Sequence, residues 1–294
     1  MVRCDTRIEQ GTRVIQDITL DGPPNAITSD DGRTYVHPIT GERFVSVTTA
    51  LSIVAKPYLT RWYGKLSACE VLDNYSRLKE LSRIPICEDE KCGSCIPCWI
   101  KWVSLAGNRE RDAAGDRGSR VHHVAEHFAL GGMILPHRPD VAPYIRQYLR
   151  FVERYEPSYE CAEITVLNRE HGWAGTLDGV ARFGWMPKRL RHLVGLPLLL
   201  DYKTSRHVDY LAGYQVAAYR NGERVMLADG TELEMPEMHA ETALSVQIRP
   251  RDYWVRPVDV TAGTYARFVR VLDVWRDCQD VRGIMGYAVR KDAH

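Results

Sequence analysis

Asp201-Tyr202-Lys203 follows the apolar run Leu198-Leu199-Leu200, which reads as the end of a buried strand. Side chains two apart on a strand share a face, so a carboxylate and an ammonium emerge side by side where that strand reaches the surface. Upstream, Trp173 to Val180 reads as a second strand carrying one acid, Asp178, between Gly175 and Gly179. Downstream, Tyr210 to Arg220 has helical spacing, with Gln215 and Tyr219 four apart on one face. Gly118 to Glu126 has the form G-x-x-x-H-x-x-x-E on a helix, which puts His122 and Glu126 on a common face. Two carboxylates brought to one sheet end are hard oxygen donors of the kind Mg2+ prefers, and an adjacent lysine stabilises a developing oxyanion. A lone Asp and Lys at a strand end are more commonly a solvated surface pair. The company they keep decides between the two readings.

Four motifs follow one another: G-x-x-x-H-x-x-x-E at 118–126, G-x-x-D at 175–178, D-x-K at 201–203 and Q-x-x-x-Y at 215–219. In this order and on these elements, the series resembles the RecB-type branch of the PD-(D/E)XK nuclease superfamily, which includes CRISPR-associated and phage-encoded exonucleases. The resemblance covers Gly118 to Arg220, with looser similarity in Ser46-Val47-Thr48-Thr49 and Leu59-Thr60-Arg61-Trp62. It implies an α/β fold with a restriction-endonuclease-like core, a central mixed β-sheet flanked by helices. It also implies a metal-dependent DNA exonuclease that processes ends in recombination or replication of a phage or bacterium. The implied partners are linear DNA, single- or double-stranded, and a recombination annealing protein or helicase. The alternative is a catalytically silent nucleic-acid-binding or assembly module on the same fold. Such degenerate members normally lose an acid or the lysine, whereas this chain keeps Asp178, Asp201 and Lys203.

The chemistry of a phosphodiester explains these residue types. Hydroxide attacks an already anionic centre, and the alkoxide leaves poorly; a divalent cation addresses both. Asp178 and Asp201 supply carboxylate oxygens, and the backbone carbonyl of Tyr202 supplies another. By resemblance, His122 is an additional ligand. A histidine suits Mn2+ better than Mg2+, so both metals are expected to support activity. Lys203 orients or deprotonates the attacking water, or stabilises the pentavalent oxyanion. Two adjacent carboxylates oppose the lowered pKa that a lysine base needs, which favours the electrostatic role. Gln215 and Tyr219 resemble a family pair that holds DNA or the active-site helix. Glu126 coordinates through water or hydrogen-bonds His122 and fixes its tautomer. Glu163, on the preceding strand, is a weaker candidate, and His123 and His127 read as ordinary helix residues.

The 294 residues, 45% hydrophobic and 26% charged, describe an ordinary globular protein with a sizeable core. A net charge of +1 excludes a global basic field, so any DNA-binding surface is a local patch. The longest apolar run, Leu193 to Leu200, is far too short to span a bilayer, and Met1-Val2-Arg3-Cys4-Asp5 opens no signal-peptide core. A cytoplasmic location is expected, the host cytoplasm if the chain is phage-encoded. Eight cysteines in that setting argue against a disulfide scaffold. Cys87, Cys92, Cys95 and Cys98 are spaced C-x4-C-x2-C-x2-C, a soft thiolate trap for Zn2+ or an iron–sulfur cluster. Some RecB-type nucleases carry such a cluster with one cysteine before the core and three after it. Here all four precede His122, and only Cys161 and Cys278 follow it. The expected role is structural, a clip for an insertion with little apolar content.

The elements that position the motifs read as one α/β domain over 1–294. Residues 1–83 give its N-terminal strands and helices, 84–100 the cysteine-rich insertion, and 101–294 the nuclease core. Arg3 to Leu20 suggests a strand or two, Tyr35 to Val47 a hairpin, and Ser46 or Thr48 a helix cap. Helices are expected over Thr60–Arg83, over Ile100–Leu130 with Gly115 and Gly118 as interruptions, and over Pro143–Tyr155. The last shows Arg146, Arg150 and Arg154 in a stripe, a solvated face first and a phosphate contact second. Glu160–Leu167, Gly172–Phe183 and Leu196–Lys203 read as consecutive strands. The loop Gly184–Gly195, with Lys188, Arg189, Arg191 and His192, touches DNA or points away according to the hairpin end it occupies. A second hairpin joins Leu244–Ile248 to Tyr253–Val258, and Thr261 or Thr264 caps a final helix.

Overall fold

The computed structural model describes residues 26–29, 32–81, 96–281 and 284. The chain divides into two compact units, one of Met1–Val54 with Arg120–His294 and one of Ala55–Ser119. In chain order, β1 (Ala26–Ser29), β2 (Gly32–Val36) and β3 (Arg43–Ser46) form an antiparallel meander, followed by α1 (Val47–Leu51). Then come α2 (Pro57–Asp73), α3 (Tyr75–Leu81), α4 (Ile96–Ser104) and α5 (Ala106–Ala129). Next are α6 (Ala142–Tyr155), β4 (Pro157–Asn168), β5 (Trp173–Phe183), a 3-10 turn at Lys188–Leu193 and β6 (Leu198–Lys203). The chain continues with α7 (Ala212–Arg220), β7 (Arg224–Met226), β8 (Glu232–Glu234), β9 (Thr242–Ile248), β10 (Tyr253–Asp259) and α8 (Ala262–Asp280).

These strands make one mixed sheet flanked by helices. The β3–β5 and β6–β9 pairs are parallel, and the remaining pairs antiparallel. Strand period sorts side chains between two cores. Leu199 packs with α1, α7 and α8 on one face, while Leu198, Leu200 and Tyr202 pack with α5 and α6 on the other. On α6, Tyr144, Ile145, Tyr148, Phe151 and Tyr155 recur at helical spacing and are buried against the sheet. A left-handed Glu156, φ 48°, ends that helix and turns the chain into β4.

The strand that organises the site is β5. Along one edge β4 accompanies it throughout. The other edge is shared: β3 takes Trp173 and Ala174, and β6 takes Gly179 to Ala181. Between them, Gly175 to Asp178 have no strand partner on that edge among the described residues. A gap is thus built into the middle of the sheet, and the four motifs gather around it.

The smaller unit is helical. Ser67 Oγ donates to the Val103 carbonyl at 3.2 Å, and Arg109 bonds Glu70 at 3.1 Å while stacking on Trp102 at 4.2 Å. Trp99 and Trp102 stack in turn at 4.8 Å. Within it α2, α3 and α4 pack on one another, and most of the insertion expected at 84–100 lies outside the described residues. Cys87, Cys92, Cys95 and the strands expected over Arg3–Leu20 lie outside the described residues; Cys98 is half-buried on α4.

Two sequence expectations change, and one alternative left open is resolved. The helix expected over Thr60–Arg83 breaks at Asn74, whose amide donates to the Glu70 carbonyl at 3.0 Å and competes with the helical ladder. Neither Gly115 nor Gly118 interrupts α5, since a glycine costs a long helix only about 1 kcal/mol. The loop 184–195 occupies the β5–β6 end remote from Asp178 and Lys203, because the hairpin connection and those residues lie at opposite ends of the paired segment. Arg154 stacks on Trp185 of that loop at 3.6 Å, a packing role. Among the described residues, no helix is long and apolar enough to cross a membrane.

Candidate active site

Pairing between β5 and β6 reaches Gly179–Leu200. One step further on, Asp178 Oδ2 accepts the Tyr202 N–H at 2.5 Å, so a side chain replaces the next rung of the ladder. This bond fixes Asp178 at the end of β6 and leaves Oδ1 for another partner. Across β5, the register Ala162–Gly179 and Ile164–Leu177 puts Glu163 opposite Asp178. Glu163 has φ 49°, a left-handed backbone that a glutamate rarely adopts in mid-strand and that costs about 1–3 kcal/mol. Alternation fails at the same place: Cys161 and Ile164, three apart, pack in one core, as do Leu177 and Val180 beside them. The distortion is where both carboxylates meet the helix that carries His122.

His122 Nδ1 lies 3.4 Å from Asp178 Oδ1 and 3.8 Å from Glu163 Oε1. One donor atom from each of the three lies within 4.8 Å of the others. Donors around one octahedral cation at about 2.1 Å stand roughly 3–4 Å apart, so small side-chain shifts let these three close on a single ion. Two hard oxygens and one imidazole nitrogen fit Mn2+ well and Mg2+ acceptably. Glu126, one turn along α5, is 3.6 Å from His123 Nδ1 and feels the charge of Glu163.

The opposite side of the gap belongs to α7. Lys203 Nζ donates to Asp201 Oδ1 at 2.5 Å and to Gln215 Oε1 at 3.3 Å. Gln215 Nε2 then donates to the Tyr219 hydroxyl at 3.1 Å. Tyr219 lies directly over Gly175, where a Cβ would come within 2.4 Å of its ring. The glycine of G-x-x-D is therefore the socket for the tyrosine of Q-x-x-x-Y. Asp201, 2% exposed, also accepts from Ser245 Oγ on β9 at 3.4 Å.

Burial and charge act against each other throughout. Burial would lower the His122 pKa, but Asp178 and Glu163 outweigh it and push it up to about 10. Burial would raise Asp178, yet His122 and then Lys203 hold it below the usual carboxylate range. For Asp201 burial wins, with Asp178 assisting, and its pKa rises despite Lys203. Burial would depress Lys203, but Asp201 and Asp178 raise it, so its ammonium is retained. Glu126 is raised by burial and then by Glu163.

Of the residues expected from sequence, His122 and Asp178 come together as donors, and Asp201, Lys203, Gln215 and Tyr219 form the adjoining chain. Asp201 is bonded through its two oxygens to Lys203 and Ser245, and the third donor atom beside those of His122 and Asp178 belongs to Glu163. Gln215 and Tyr219 point inward and hold Lys203, with Tyr219 only 5% exposed. Tyr202 presents its N–H to Asp178 and buries its ring. The contribution of Ser245 carried no sequence signal. Compared with protein-family models and with curated proteins, the chain matches none.

Proposed function

We propose that this site hydrolyses phosphodiester bonds with the help of a divalent cation, and that the protein is a DNA exonuclease built on a restriction-endonuclease-like core. The observation that carries the reading is the meeting of His122, Glu163 and Asp178 in a gap of the sheet whose other side presents Lys203. When Mg2+ or Mn2+ is held by those three residues, with the Tyr202 carbonyl as the expected backbone donor, it lowers the pKa of the attacking water and offsets phosphate charge.

The protein's own groups do the rest. Asp178 keeps its negative charge at working pH, as a donor must. Lys203, with its raised pKa, retains its proton and stabilises the oxyanion of the pentavalent phosphorus rather than acting as a base. Asp201 and Gln215 hold that ammonium in place, and Tyr219 holds Gln215. Exonuclease action, DNA ends as substrate and an annealing protein or helicase as partner rest on the order of the four motifs.

The test is a time course on end-labelled linear duplex and single-stranded DNA with Mg2+, Mn2+ or chelator. Progressive, metal-dependent shortening that Asp178→Ala lacks supports the reading. DNA binding without cleavage under every metal condition would favour the silent binding module instead.

A further inference from the structure

Behind the donor cluster runs a chain of tyrosine hydroxyls, from buried Tyr148 and Tyr202 and half-buried Tyr159. Tyr148 Oη on α6 donates to the Ala125 carbonyl of α5 at 3.2 Å. Tyr148 and Tyr159 hydroxyls lie 3.1 Å apart, and Tyr159 and Tyr202 hydroxyls 2.7 Å apart. Each hydroxyl has one proton. Because the Tyr148 proton goes to Ala125, its bond with Tyr159 uses the Tyr159 proton, and the next bond uses that of Tyr202. All three bonds form together only with the chain running Tyr202 to Tyr159 to Tyr148 to the α5 backbone. Bonds aligned head to tail in a dry interior reinforce one another.

The termini of this chain matter more than its length. Ala125 lies three residues after His122 on α5, Tyr159 lies four before Glu163 on β4, and Tyr202 sits between Asp201 and Lys203 on β6. The Tyr202 ring also meets the His122 imidazole edge-on at 6.2 Å. Phenylalanines would fill the same space, and taking hydroxyls out of water is unfavourable unless each is bonded. Each hydroxyl here is bonded to a neighbour that carries, or adjoins, an active-site element.

Resting on the nuclease reading, we infer that Tyr148, Tyr159 and Tyr202 are positioning residues that hold the His122 helix at metal-binding distance from Asp178 and Glu163. The central link, Tyr159, is the one whose loss separates the sheet from the helices. Tyr159→Phe keeps the ring and breaks two bonds of the chain.

The experiment measures Mn2+ binding by electron paramagnetic resonance, with melting temperature recorded for each protein. Tyr265→Phe is the control: its hydroxyl bonds Trp173 and His171 at the start of β5, outside the chain. Tyr159→Phe is expected to bind Mn2+ about tenfold or more weakly, while Tyr265→Phe keeps wild-type affinity whatever its melting temperature. Unchanged affinity in Tyr159→Phe, or an equal loss in Tyr265→Phe, would overturn the inference. Absence of Mn2+ binding by the wild-type protein would instead overturn the nuclease reading, and this inference with it. Should Tyr159→Phe fail to fold, Tyr202→Phe removes only the terminal donor and is held to the same criterion.

Discussion

The two sides of the gap beside β5 are built on opposite principles. On the α5 side, His122, Glu163 and Asp178 direct their donor atoms at one another, and a strained Glu163 backbone helps bring them there. On the α7 side, Asp201, Lys203, Gln215 and Tyr219 form an open chain of hydrogen bonds in that order. The first side gathers two carboxylates around the His122 imidazole and pushes its pKa up. The second side pairs one ammonium with one carboxylate, and Gln215 holds the ammonium from α7. A ligand half and a charge half are therefore separable by mutation.

A large separation is expected between two carboxylates. Glu163→Gln should weaken Mn2+ binding by about a hundredfold, measured by titration calorimetry. Asp201→Asn should leave that affinity within a few-fold and lose turnover instead, because Lys203 loses the carboxylate charge beside it. A reversed order would move Asp201 into the ligand half. A smaller effect follows from Gln215→Leu, which removes one bond to Lys203 and the bond to Tyr219. Turnover should fall roughly tenfold with Mn2+ affinity unchanged; a change in DNA affinity alone would return Gln215 to substrate binding.

A separate effect is one of pH on the chelator-treated protein. Folding raises the His122 pKa from about 6.5 to about 10, so its stabilisation is complete below pH 6.5 and is lost as pH rises through 10. The urea midpoint should decline across that window in the wild type and decline less in His122→Asn. Parallel declines in the two proteins would remove His122 as the group responsible.

Much of the charge half was legible in the sequence, because strand and helix periods are short-range. Asp201 and Lys203 two apart on β6, and Gln215 and Tyr219 four apart on α7, lie on common faces for the reasons that periodicity supplies. The ligand half was legible only in part. Glu163 is brought to Asp178 by a left-handed residue inside a strand, and no pattern of residue types announces a glutamate in that conformation. The need for glycine at 175 is likewise set by the Tyr219 ring from a distant helix. By contrast, the position of the loop 184–195 was implied by the strands themselves, since a hairpin turn lies opposite the free ends of its strands. The break at Asn74 and the continuity of α5 depended on competition between side-chain and backbone hydrogen bonds that propensity alone does not decide.

The division into two halves rests most directly on Lys203→Ala, assayed for Mn2+ binding and single-turnover cleavage of end-labelled DNA in the same preparation. The expected result is wild-type Mn2+ affinity with cleavage slowed by about 10²–10³-fold. Cleavage at the wild-type rate, or loss of metal binding in step with cleavage, would contradict the account.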